Sequence, residues 1–106
     1  MREIKFRAWD KDCKHMVYDT NIRIFDNYLE EYIMQYTGLQ DKNGKKIFEG
    51  DIVKIYNALN HVYYNNGGFR TDALFQSSFI YLADNKVKIE IFGNIYENPE
   101  LLERKQ

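Results

Sequence analysis

The four residues Asp41-Lys42-Asn43-Gly44 constrain this chain more than any other stretch. Asn-Gly tolerates positive φ at both central positions of a turn, the requirement of a type I′ β-hairpin. A hairpin turn is therefore expected within Asp41–Lys46. The flanks carry the same signature. Ile4, Phe6 and Ala8 alternate with Lys5, Arg7 and Trp9, a period of two that fits a strand with one wet face. Polar Asp10-Lys11-Asp12-Cys13-Lys14 then folds that strand back onto Met16-Val17-Tyr18. Between Asn21 and Tyr36 the apolar spacing is only partly helical and the residues are β-branched and aromatic, which favours strands with a short turn.

Beyond Gly50-Asp51 the pattern continues with a strand at Ile52–Tyr56, a turn at Asn65–Gly68, and a hairpin from Phe79–Leu82 to Val87–Phe92. Gly93 marks a bulge or a close backbone approach. The end of the chain changes character: Asn98 suits a helix N-cap, Pro99 the first helical position, and Glu100 the positive end of the helix dipole, with Leu101 and Leu102 as anchors. A chain of 106 residues with a single proline and no linker composition reads as one domain, residues 1–106. The predicted fold is mainly β, a small SH3-like barrel over about residues 47–97. An N-terminal β-hairpin region over about residues 1–36 and a short C-terminal helical turn complete it. A flat sheet of this size would leave unprotected edges, and curling removes them.

Charge and composition exclude several functions. Fifteen basic residues against sixteen acidic ones leave a formal charge of −1, which gives no long-range attraction to nucleic acid. A lone cysteine, Cys13, allows no internal disulfide and fits a reducing compartment. Charged residues interrupt the N-terminal segment and no uncharged apolar run reaches the roughly 18 residues that a membrane span needs, so a soluble protein retained in its cell is expected. Neither glycine-rich phosphate motif occurs. Cys13 and His15 have only His61 as a further imidazole or thiol, short of the four ligands of a structural zinc site. Asp41-x-Asn43-Gly44 opens like a calcium loop, yet Ile52 occupies its twelfth position in place of a bidentate Glu. Glu49 and Asp51 form the single paired-carboxylate candidate and read as part of a solvated loop. No catalytic residue, metal ligand or cofactor site is expected.

Two kinds of surface remain. Arg2, Lys5 and Arg7, taken as one strand face, converge with Lys42, Lys45 and Lys46 at the hairpin to offer nucleic-acid contacts. The simpler reading is a charged edge that blocks aggregation. Trp9, Tyr36 and Tyr96 are candidates either for packing or for a protein-interaction surface.

Three segments resemble the YopX family: Arg7-Ala8-Trp9-Asp10; Met34–Leu39 running through Asp41–Gly44 to Glu49–Lys54; and Gly93–Leu102. They occur in the family's order. The resemblance implies a phage- or prophage-encoded protein without assigned activity, containing an SH3-like barrel and no catalytic residues. It implies no kinship with secreted Yop virulence proteins. Residues 57–84 match the family far less well and could encode a partner. The expectation is a cytoplasmic, non-enzymatic accessory protein of the bacterial host cell. Its partner is an unknown host or phage protein or a second copy, with nucleic acid as the alternative and no role for a membrane.

Overall fold

The computed structural model describes residues 4–19, 32–55, 58–65, 67–71 and 88–103. Among these, nine strands and one short helix give a mainly β fold with a curled, half-barrel sheet.

Strand β1 (Phe6–Asp10) lies inside the first sheet, flanked on one side by β2 (His15–Asp19) and on the other by β3 (Ile33–Gln40). The β1–β2 hairpin predicted from sequence is present, with Trp9 opposite Met16 and Arg7 opposite Tyr18. Its turn is closed by Asp10, whose carboxylate accepts the amides of Asp12 and Cys13, each at 3.0 Å. This local capture is what short acidic side chains do in turns.

The Asn43-Gly44 hairpin is also present, joining β3 to β4 (Lys46–Phe48), but its turn is of another type. Gly44 has φ +84°, whereas Asn43 keeps a negative φ. Asp41 is the reason: its Oδ1 accepts the amides of Asn43 at 2.8 Å and Lys45 at 2.9 Å. The Gly44 amide then donates to the Asp41 carbonyl at 3.0 Å. The result is a three-residue loop with a glycine bulge. A second irregularity lies between Tyr36 and Gln40, where Thr37 Oγ1 donates to the Ile47 carbonyl and accepts the Leu39 amide. The freed backbone groups of this bulge are thereby satisfied.

At Glu49-Gly50 the chain turns into the second sheet. Its middle strand, β5 (Asp51–Ile55), lies between β6 (Ala58–His61) and β9 (Glu90–Asn94). A further hairpin is formed by β7 (Tyr63–Asn65) and β8 (Gly68–Arg70), matching the turn expected before Phe69. Gly50 holds the corner at φ +89°, donating to the Val62 carbonyl and accepting from the Ile95 amide. One buried core cluster joins the sheets: Ile47, Val53, Ile55, Val62, Phe69 and Ile89, with Leu39 and Ile91 packed against it. Of the expected hairpin from Phe79–Leu82 to Val87–Phe92, residues 79–87 lie outside the described residues.

Gly93 meets both sequence expectations. Ile52 pairs with Gly93 and Val53 with Ile91, leaving Phe92 as the extra residue of a bulge. A Cβ on Gly93 would run into the Asn98 side chain. Helix α1 (Glu100–Glu103) follows as expected, although Asn98 does not cap it with its side chain. Asn98 Oδ1 instead accepts the Asn94 amide at 3.2 Å, while the Leu101 and Leu102 amides donate to the backbone oxygens of Asn98 and Pro99. The Asn98 side chain thus lies against Gly93 instead of over the helix start. No helix among the described residues is long and apolar enough to cross a membrane.

Candidate binding groove

The first sheet places Lys5, Arg7, Tyr18, Met34, Tyr36 and Phe48 on one face, because Arg7 stands opposite both Tyr18 and Met34, and Tyr36 opposite Phe48. One end of this face is covered by β9 and the turn after it. There the Trp9 ring stacks on Tyr96 with centroids 5.6 Å apart and planes 7° from parallel, and Tyr32 leans on the same Tyr96 ring. Trp9 and Tyr96 are half-buried and used on each other, and Tyr36 is only 6 % exposed. Tyr36 therefore belongs to the core and does not offer the interaction surface considered from sequence.

Beneath the cover lies an ion pair. Arg7 Nη2 donates to Asp51 Oδ1 at 2.8 Å and to the Glu49 carbonyl at 3.1 Å, and the guanidinium lies 4.8 Å from the centre of the Phe48 ring. Asp51 Oδ2 accepts the Phe48 amide at 2.8 Å. Both side chains are almost completely buried. Burial pushes the Asp51 carboxyl above its ordinary range, with Arg7 and the Phe48 amide pulling the other way. This corrects two sequence expectations. Arg7 is locked inside and is no nucleic-acid contact, and Glu49 with Asp51 forms no solvated acidic pair. Glu49 turns away, its Oε1 accepting the Gln35 amide at 3.1 Å.

The other end of the face opens as a groove of about 640 Å³, within the size range of ligand sites. Tyr18 and Phe48 supply its aromatic walls, Arg7 and Asp51 its base, Gly93 and Asn94 its far side, and Lys5, Lys45 and Lys46 its basic rim, with Phe6 also along its lining. Tyr18 is 59 % exposed and meets buried Phe48 edge-on at 5.6 Å. Because Asp51 neutralises Arg7, the groove's electrostatics are set by the lysines. The structure thus brings Lys5 together with Lys45 and Lys46, as the sequence reading expected. Lys42 is separate, in an exposed ion pair with Glu90 at 3.2 Å, and Arg2 lies outside the described residues.

Cys13 and His15 are exposed in the first hairpin, and His61 packs on Tyr63 in the second sheet. Among the described residues no group of three or more His, Cys, Asp or Glu side chains is placed to hold a metal ion. Asp41 is held below its usual carboxylate range. Burial opposes its charge, but the amides of Ile91, Lys45 and Asn43 and the Lys45 charge outweigh that effect.

The family model for the YopX protein matches residues 21–103. The chain belongs to the YopX family. The second and third resembling segments lie inside that match, whereas Arg7–Asp10 lies before it. Among solved structures, the crystal structure of protein EF1440 from Enterococcus faecalis is similar. It has 30% sequence identity and a TM-score of 0.68, and the alignment covers 96% of this chain and 99% of that chain. No curated protein matches. Tyr18, Phe48 and Phe6 were not singled out as site residues in the sequence, and the pairing of Tyr18 with Arg7 across the first hairpin is the signal that places Tyr18 there.

Proposed function

We propose that this YopX-family chain is a non-enzymatic accessory protein of a phage or prophage, acting in the bacterial cytoplasm by binding another protein through the groove. The supporting observation is the joining of an exposed tyrosine, the buried Phe48 ring and a lysine rim in one opening. An aromatic anchor site with a charged border is the usual composition of a protein-binding patch. The two carboxylates nearest the groove base are committed to structural bonds, Asp51 to Arg7 and Glu49 to the Gln35 amide.

The test is affinity capture from nuclease-treated host lysate with wild-type protein and a Tyr18→Ala/Lys45→Glu variant. Proteins retained by the wild type and lost by the variant are expected. Equal capture by both would remove the groove from the function. Nucleic-acid binding remains a second reading because Lys5, Lys45 and Lys46 converge beside exposed Tyr18, an arrangement suited to phosphate contact and base stacking. It requires salt-sensitive retention of single-stranded oligonucleotides, and no retention at low ionic strength would reject it.

A further inference from the structure

Resting on the reading of the groove as a protein-binding site, we infer that its occupant is a second copy of this chain, contributed by the acidic turn and helix that follow β9. Glu97, Glu100 and Glu103 are all exposed and recur every third residue from the end of β9 through α1. The helix dipole favours acidic residues in the first turn, where Glu100 and Glu103 both lie, and Glu97 precedes them. The same molecule carries the complement, since Lys5, Lys45 and Lys46 border the groove.

The two features adjoin at Asn94. Its side chain lines the groove, while its Nδ2 donates to Glu97 Oε1 at 2.7 Å and its Oδ1 accepts the amides of Tyr96 and Glu97. An acidic ridge beside a basic groove is self-complementary under a two-fold rotation, so each protomer's ridge enters the other's groove and the contact closes as a dimer. Exposed ion pairs alone stabilise little. The apolar share comes from Tyr18, which lines the groove and is 59% exposed.

Sedimentation equilibrium of the full chain at low and high salt tests this pairing, with circular dichroism confirming that each variant is folded. The expected wild type is a dimer that dissociates as salt rises. Lys5→Glu/Lys45→Glu and Glu100→Lys/Glu103→Lys should each be monomeric. Mixing these two variants in equal amounts, or combining all four changes in one chain, should restore the dimer. A monomeric wild type at low salt, a dimer unaffected by either reversal, or no rescue on combination would each overturn the proposal. A monomeric wild type that still captures another protein in a Tyr18- and Lys45-dependent way removes self-association alone. Loss of both removes the groove as a binding site.

Discussion

Arg7 shows how one side chain's role depends on contacts distant in sequence. Alternation placed Lys5 and Arg7 on the same strand face, but only the approach of Asp51 decides that Arg7 is covered while Lys5 borders the groove. Removing one member of a buried pair strands the other charge, so Arg7→Met should cost about 3–5 kcal/mol in urea denaturation. The double variant Arg7→Met/Asp51→Leu should recover most of that loss, because no unpaired charge remains. The two buried aspartates have opposite linkage to pH. Asp41 ionises more readily in the fold, so its contribution is present above its ordinary value of 3.8 and is lost as pH falls through its lowered pKa. Asp51 binds its proton more readily in the fold, so its contribution is present below 3.8 and is lost as pH rises through its raised pKa. Carboxyl-carbon NMR should place the Asp41 midpoint below 3.8 and the Asp51 midpoint above it. At neutral pH Asp41→Ala should lose about 2 kcal/mol, since the Ile91, Asn43 and Lys45 amides all lose their acceptor.

Turns show most plainly what sequence can and cannot specify. The positions of the Asp10–Lys14 and Asp41–Lys45 turns and of the Gly93 bulge were legible, since polar runs and glycine interrupt a period of two. The turn type was not legible from Asn43-Gly44 alone, because the Asp41 carboxylate selects among the conformations this pair allows. Asn98 likewise has cap chemistry, and only the path of β9 directs its side chain to Asn94. The first hairpin uses a lysine where the second uses glycine: Lys14 has φ +58° and Gly44 φ +84°. Lys14→Gly should therefore stabilise the protein by about 0.5–1 kcal/mol, the left-handed strain relieved less the entropy glycine loses. Gly50→Ala should do the reverse, costing about 1–3 kcal/mol, because an alanine there is strained. Its Cβ would also lie 2.8 Å from the Met34 sulfur. Chemical denaturation of both variants checks the pair of signs.

At the scale of the whole molecule, the mainly β class was readable from alternation and turn spacing, and the meeting of Lys5 with the hairpin lysines was anticipated. The groove was not, for it is made by three segments far apart in sequence: the first hairpin, the β3–β4 turn and β9. Tyr18 is not marked by the sequence, because a tyrosine in a short strand gives no sign of which neighbours will cover it. Trp9 and Tyr96 have residue types that suit either packing or an interface, and they close the other end of the same face by stacking. Exposed tyrosines at Tyr18 and Tyr64 allow the groove to be compared directly with a site in the β7–β8 hairpin, 59% and 55% exposed. A photo-crosslinking phenylalanine derivative placed at each position in turn, irradiated in nuclease-treated host lysate, provides the comparison. Protein adducts from position 18 and none from position 64 are expected if the groove is the binding surface, whereas adducts from position 64 with none from position 18 would contradict it.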